Sequence, residues 1–376
     1  MKHDWKYIKL GDIISPAKVV RNGANKKFPV LSITMRDGIV FQSSRFKKSI
    51  ASVDTSDYKV VYNGQLVIAF PIDEGLIYTQ DIVDAGIMSP AYNVWNVDFL
   101  EIDRKFLVLY LHCPFSMAYY KSKLRGTTMR RRSMPKEDLL NMPLPVPSFS
   151  VQQSIVSELD KINELIRLKK EQLKDYDNLA QSIFYEMFGD EKYERRKLKD
   201  IVKVKSGQVS PLEDPYCDMV HVGPANIESN TGRLINLKTA KEENLISGKY
   251  LFDSSMVLYS KIRPNLNKVT IADFEGICSA DMYPLIPSKS IDKKFLLFIL
   301  KQKEFLSYAI ANSGRANIPK INREALLEYS TILPPLSLQL QFAERLALIE
   351  QQKAEIQNTI ADLETLLASR MQYWFD

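Results

Sequence analysis

Two stretches of this chain carry apolar residues at alternating steps of three and four. The first runs Ile155, Leu159, Ile162, Ile166, Leu173, Tyr176, Ala180, Ile183 and Met187, with one polar gap at Lys169. The second runs Phe342, Leu346, Ile349, Ile356, Ile360, Leu363, Leu367 and Trp374, with Lys353 and Arg370 as its polar breaks. Such spacing predicts a helix with one apolar seam in each place, about 36 residues or roughly 55 Å long at 1.5 Å per residue. Ser150 and Gln153 have the spacing of a capping box at the start of the first. One seam alone usually marks a bundle core; two of matching length predict that the helices pair as an intramolecular coiled coil. Lys169 and Lys353 either set its register or carry their charge out to solvent.

The matching seams belong to a wider repeat. Lys9-Leu10-Gly11-Asp12-Ile13 returns as Lys197-Leu198-Lys199-Asp200-Ile201, and Ile102-Asp103-Arg104-Lys105-Phe106-Leu107 as Ile291-Asp292-Lys293-Lys294-Phe295-Leu296. Glu137, Leu139, Pro147, Gln152, Leu159, Leu179 and Phe188 find identical residues at Glu324, Leu326, Pro334, Gln339, Leu346, Leu366 and Phe375. The chain is a tandem duplication. Between the matching blocks, residues 15–97 and 206–287 share little beyond short strand patterns: Phe28–Ile33, Gln65–Ala69 and Tyr92–Val97 in one copy, Met256–Tyr259, Lys268–Ala272 and Met282–Leu285 in the other. Asp103 and Asp292 are expected to cap the amphipathic helices that follow them. Pro143-Leu144-Pro145-Val146-Pro147 reads as an extended connector. Each copy is therefore an α+β region, a connector and a long helix.

Composition narrows the class. With 45% apolar residues the chain can build packed cores, and no apolar run approaches the length of a membrane span. The N-terminus lacks a secretory pattern, so a cytoplasmic protein is expected, with no membrane partner. Cys113, Cys217 and Cys278 are too scattered for a disulfide framework or a zinc site, and read as buried thiols with no bound metal. The net charge of +6 matters less than its placement. Lys121, Lys123, Arg125, Arg130, Arg131, Arg132 and Lys136 form one run free of acids; Lys18, Arg21, Lys26, Lys27, Arg36, Arg45, Lys47 and Lys48 form a second, opposed only by Asp37. Arg195, Arg196, Lys197, Lys199, Lys203 and Lys205 form a third. A single run is as often a solvated face; three in a duplicated chain point to an anionic partner.

Catalytic signatures are missing. No phosphate-binding glycine loop or dinucleotide turn occurs, and Pro334-Pro335 lacks the flanking residues of an amino-methyltransferase motif. Asp57-Tyr58-Lys59 has a spacing found in nucleases without the rest of such a motif, and His3, His112 and His221 stand alone, as structural histidines usually do. Binding without chemistry is the expectation.

Two α+β regions with divergent interiors, each followed by a proline-rich segment and a heptad helix, resemble the specificity subunits of type I restriction-modification enzymes. The resemblance rests on Lys9–Ile13 and 143–188 with their repeats, and on Gly126-Thr127-Thr128 and Gly314-Arg315-Ala316-Asn317-Ile318-Pro319. It implies two pseudo-symmetric target recognition domains, 1–149 and 189–336, separated by two long antiparallel coiled-coil helices, 150–188 and 337–376. It further implies a bipartite, asymmetric site on double-stranded DNA, the helices acting as a ruler between half-sites. Two methyltransferase subunits carrying S-adenosylmethionine, and motor-nuclease subunits using ATP and Mg, would supply the adenine-N6 methylation and the cleavage. This chain would bind no cofactor of its own. Cations and amides read DNA, so the expected contacts are Arg36, Gln42, Arg45, Lys47, Lys48, Arg125, Arg130, Arg131 and Arg132 in the first domain. In the second they are Gln208, Lys261, Arg263, Asn265, Asn267, Lys268, Arg315, Asn317 and Lys320. A specificity protein of a related restriction system, or a coiled-coil scaffold without nucleic acid, would be the alternatives.

Overall fold

The structure is a computed structural model that describes residues 5–23, 28–35, 37–45, 54–125, 134–189, 193–314 and 317–375. It divides into two compact units, Met1–Glu171 with Gln357–Asp376, and Gln172–Ile356. Both unit boundaries fall inside the long helices.

In the first unit, strands β1 (Ile14–Pro16), β2 (Leu66–Ile68), β3 (Ile77–Thr79) and β4 (Asn93–Val97) form an antiparallel sheet in the order β1-β4-β2-β3. In the second, β5 (Val202–Val204), β6 (Val257–Ser260), β7 (Val269–Thr270) and β8 (Met282–Pro287) form one in the equivalent order β5-β8-β6-β7. The repeat read in the frame sequences thus extends to the strand order of the divergent interiors. A five-stranded sheet that includes Gln208–Val209, Val220–Val222 and Gly276–Cys278 adds to the second unit.

The segment expected to be a plain connector is a strand. Pro143–Val146 pairs antiparallel with Lys6–Lys9, and Ser330–Ile332 pairs with Arg195–Lys197 in the second unit. Proline has no N–H to donate, but a two-stranded ribbon asks for hydrogen bonds on one side only. The ribbon places Leu144 and Val146 in the core and Leu10 beneath them.

Helix α1 (Arg104–Leu111) follows Asp103, whose carboxylate accepts from the Phe106 N–H at 3.0 Å. Helix α2 spans Phe149–Phe188, α3 Lys293–Lys301 and α4 Leu336–Phe375. Asp292 caps α3 by accepting from Lys294 and Phe295 at 2.8 and 3.0 Å. The long helices each begin one residue earlier than their periodicity suggested, and the capping box gives way to a different device. Ser148 offers its carbonyl to Val151 and Gln152. The Gln152 side chain, fully buried, then accepts from the Asp103 N–H at 2.7 Å and donates to the carbonyls of Glu101 and Pro147, both at 2.9 Å. Gln339 repeats this in the second unit: it accepts from Asp292 N–H at 2.9 Å and donates to Ser290 and Pro334 at 3.0 and 2.7 Å.

Each unit contains pieces of both long helices, and in each they run antiparallel. In the first unit Glu158 meets Arg370 and Trp374, and further along α2 Lys170 meets Glu364 at 2.7 Å. In the second, Asp177 meets Lys353 at 2.9 Å, and Phe188 meets Phe342 at 5.4 Å between ring centroids. Of the expected seam, Ile155, Leu159, Ile162, Ile166, Phe342, Ile349, Ile356 and Ile360 are buried, whereas Leu173, Tyr176, Ile183, Leu346, Leu363 and Leu367 are half-buried. Two helices alone can cover only part of each other's seam, and burial does not follow distance from the domains: Ile356 and Ile360 at mid-helix are buried, while Ile183, Leu346 and Leu367 near the helix ends are half-buried. Phe375 enters the first core against Phe106 and Tyr110 at 5.6 and 5.7 Å. Its repeat partner Phe188 enters the second against Phe295 at 5.3 Å. The Lys353 ammonium lies between Asp177 and Glu350, so it acts within the helix pair and does not reach to open solvent.

Gln152→Ala and Gln339→Ala should each leave three main-chain groups without their partner. At about 1–3 kcal/mol for a stranded buried group, a loss of about 3 kcal/mol or more is expected in the affected unit. Urea unfolding followed by a probe in each unit would measure it; a loss under about 0.5 kcal/mol would show that water replaces the amide without penalty.

Candidate nucleic-acid interface

The loop between β6 and β7 concentrates the chemistry of the second unit. Arg263 and Asn267 both have left-handed backbones, with φ of 47° and 48°, and flank a single 3-10 turn at Pro264–Leu266. Asparagine tolerates that region, but Arg263 is strained there by about 1–2 kcal/mol. Main-chain bonds hold it: Arg263 N–H donates to Pro319 at 2.7 Å, Leu266 N–H to Arg263 and Asn267 N–H to Pro264, both at 2.9 Å. Strain kept in place this way tends to collect at ligand-handling loops. It leaves the Arg263 and Asn265 side chains exposed.

The same geometry draws the neighbouring candidates inward. Lys261 donates to the Ala280 carbonyl at 2.6 Å, and Lys268 to the Pro224 carbonyl at 2.6 Å. Asn267 is 8% exposed and its amide donates to the Lys301 carbonyl. These three build the loop. Bridges from Ile262 to Lys320 and from Ser313 to Ile321 bring the 313–321 segment alongside, where Asn317 and Lys320 are exposed. Arg263, Asn265, Asn317 and Lys320 therefore gather from two segments about fifty residues apart. Gln208 is exposed on the edge strand of the five-stranded sheet, with no bond to that cluster among the described residues.

Sequence reasoning missed a neighbouring turn. Glu228–Arg233 presents Asn230, exposed at φ 66°, and Arg233, paired with Glu228 at 3.1 Å; Asn230 N–H donates to Leu266. The Asn-Thr-Gly sequence at 230–232 was the available turn signal.

In the first unit, Gln42 opens the short helix Gln42–Arg45 and is half-buried, its main chain bonded to Val30; Arg45 closes that helix. Arg125 is exposed beside Asp138 at 3.4 Å. Arg36, Lys47, Lys48, Arg130, Arg131, Arg132 and Arg315 lie outside the described residues.

Four of the six residues of the third basic run are paired with acids. Arg195 pairs with Glu304 at 3.1 Å, Arg196 with Glu194 at 3.0 Å, and Lys197 and Lys199 with Glu328 at 2.6 and 2.7 Å. Hydrogen bonds from both lysines hold the Glu328 carboxyl at about 2. Of these glutamates, Glu304 and Glu328 lie more than a hundred residues away in sequence, where a reading of the run alone does not find them. Similarly, Asp57 pairs with Arg21 and Lys59 donates to the Tyr92 carbonyl, so that tripeptide is occupied structurally.

Cys113 and Cys278 are buried as expected, but Cys217 is partly exposed, its thiol bonded to Asp214 at 2.9 Å. That bond pushes the thiol pKa up, and Asp218 stands close to the same pair. His221 is buried in the second unit with Nδ1 2.7 Å from Glu243, while Nε2 has no partner among the described residues. Burial, with Lys249 nearby, lowers its pKa despite Glu243.

Fold and loops together define a recognition protein of two repeated α+β modules, the second with a solvent-facing cluster of cations and amides. The model of the type I restriction modification DNA specificity domain matches residues 2–175 and 190–365, and the chain belongs to that family of specificity subunits. It is 34% identical to the type I restriction enzyme EcoDI specificity subunit of Escherichia coli over 46% of this chain, a match spanning 39% of that relative. It is 23% identical to the MjaVIII specificity subunit of Methanocaldococcus jannaschii, over 92% of this chain and 86% of the relative. Among solved structures, a chain from work on assembly and conformational transition of the type I R-M system superposes with a TM-score of 0.60 at 18% identity, covering 99% of this chain and 97% of that one. The type I S subunit from M. genitalium gives 0.52 at 14%, covering 99% and 96%; both likenesses concern the fold. Among the described residues no helix is long and apolar enough to cross a membrane.

The lowered pKa of His221 has a definite sign. The unfolded chain takes up a proton near the ordinary value of 6.5, where the folded unit still resists it, so stability is complete above that pH and falls as acid is added. The second unit should melt at lower temperature at pH 5.5 than at 7.5, and His221→Gln should flatten that dependence. An unchanged slope in the variant would assign it to other groups.

Proposed function

We propose that this chain reads a bipartite, asymmetric site on double-stranded DNA, one half with each unit, and positions adenine-N6 methyltransferase subunits and motor-nuclease subunits on it. S-adenosylmethionine, ATP and Mg belong to those partners in this reading, and the chain itself supplies recognition. The observation that carries it is the identical Gln152 and Gln339 bracket under interiors of different chemistry: one frame, two reading surfaces. Family membership supports the same reading.

Within it, the exposed candidates fall into two roles. Arg263 and Asn265 suit base edges, because an arginine fork matches guanine O6 and N7 and an amide matches adenine. Lys320 and Arg125 suit phosphates. The remaining expected contacts, including Arg36, Lys47, Lys48, Arg130, Arg131, Arg132 and Arg315, stand as proposals of the same kind. Docking of the methyltransferase subunits on the helices is supported by leucines left open at repeat-equivalent positions, Leu179 at 45% and Leu366 at 46% exposure.

Methylation mapping in cells that hold the partner methyltransferase, with and without this chain, tests the reading. A two-part adenine motif present only with the chain is expected; no chain-dependent motif overturns it. In the same assay, Arg263→Ala should relax one half-site by about 1–3 kcal/mol of base discrimination. Uniform weakening on all duplexes, with a salt slope reduced by about one, would make Arg263 a phosphate contact.

A further inference from the structure

Extending the alignment of Ile102–Leu107 with Ile291–Leu296 without a gap places His112 opposite Lys301. These residues differ in size and chemistry, yet each stands at the C-terminal end of the repeated helix, α1 or α3. Each also meets the loop between the third and fourth strands in sheet order, His112 with its ring and Lys301 with its main-chain carbonyl.

In the first unit that loop lies between β2 and β3 and ends at Gly75, φ 77°. The His112 Nε2 is 3.0 Å from the Gly75 carbonyl, and its ring lies 4.3 Å from that of Tyr78. The Tyr78 hydroxyl in turn donates to the Met35 carbonyl at 3.2 Å, and a Cβ on Gly38 would stand 3.1 Å from the Tyr78 ring. The hairpin joining Leu31–Thr34 to Gly38–Phe41 therefore rests on Tyr78, whose ring lies against this histidine.

In the second unit the loop between β6 and β7 ends at Asn267, φ 48°. The Lys301 carbonyl accepts from the Asn267 amide at 3.4 Å, and its ammonium donates to the Thr231 carbonyl at 2.9 Å. Two loops, Glu228–Arg233 and Arg263–Asn267, are thus tied to one residue, and Asn230 N–H to Leu266 O links them to each other. Burial lowers the Lys301 pKa, and Glu350 and Asp177 of the long helices oppose that. Spending a half-buried ammonium on a loop carbonyl, where a methionine would fill the space, argues for placement over packing.

We propose that His112 and Lys301 are a pair of positioning residues, each fixing the DNA-facing loops of its unit to the same point of the repeated frame. This rests on the DNA-reading role proposed above. Base discrimination depends on donor and acceptor distances held near 2.9 Å, so a loop released from its anchor still meets DNA but reads it less well.

The test uses the full chain with its partner methyltransferase. Lys301→Met is expected to relax discrimination roughly tenfold in one half-site only, and His112→Leu in the other only, with Lys301→Arg and His112→Gln restoring it. Hydrogen exchange on the free chain should show faster exchange at Asn230, Gly232 and Leu266 in Lys301→Met. Unchanged discrimination, equal relaxation of both halves, or unchanged exchange would overturn the proposal. Should Lys301→Met fail to fold, Lys301→Gln is read in the same exchange assay. A wild-type chain that directs no bipartite methylation would sink the DNA reading, while the exchange result would still decide whether Lys301 holds the loops.

Discussion

A buried side-chain amide with one acceptor and two donors meets, in each unit, one main-chain N–H and two carbonyls that no helix or strand accounts for. Gln152 and Gln339 sit where three elements converge: the turn before the capped helix, the end of the ribbon strand, and the first turn of the long helix. A hydrophobic residue would fill the space but strand the three groups; an acid could accept only. Glutamine alone among side chains of this length offers both senses without charge. The entry of the long helix into its domain therefore depends on the bracket, and so does the placement of Asp103 or Asp292, whose own N–H it holds while the carboxylate caps the next helix.

That arrangement separates what must stay from what can vary. The cores, the ribbon and the helix ends form a closed frame in each unit, and the loops stand beyond it with polar ends in solvent. Electrostatics follow the same division. Charges on the frame are matched locally, as Lys197 and Lys199 are by Glu328, and surface pairs of this kind contribute little to stability. Arg263 is different: its backbone strain is maintained by the bond from its N–H to the Pro319 carbonyl, and its side chain is left outside. Strain retained on a surface loop has no stabilising return in the folded chain, which is why function is the natural account of it.

Much of the frame was legible because its signals are local or repeated. The seams needed only periodicity, Asp103 and Asp292 needed only the preference of a short carboxylate for free amides, and duplication doubled every weak signal. What escaped depends on contacts remote in sequence. Pro143–Val146 looks like a connector until Lys6–Lys9, more than a hundred residues earlier, is known to lie beside it. The charge of Arg195 to Lys199 looks open until Glu304 and Glu328 are known to face it. Lys261, Asn267 and Lys268 have the right chemistry for DNA, but β6 and β7 turn their polar ends toward main-chain carbonyls. Residue type nominated the β6–β7 loop; geometry leaves Arg263 and Asn265 exposed on it.

The order of the chain has a consequence for how each unit can form. The second unit is contiguous, and its core closes on Phe188 and Phe342, both within Gln172–Ile356. The first unit draws Leu367, Met371, Trp374 and Phe375 from the last described turns of α4 onto a core begun at Leu10. Its closing contacts are separated by most of the sequence, so the entropy of bringing them together is larger, though it grows only slowly with length. During synthesis the first recognition region leaves the ribosome before the helix that completes it exists. Its exposed Phe106 and Tyr110 must wait for Phe375, and until then the frame that Gln152 organises is one helix short.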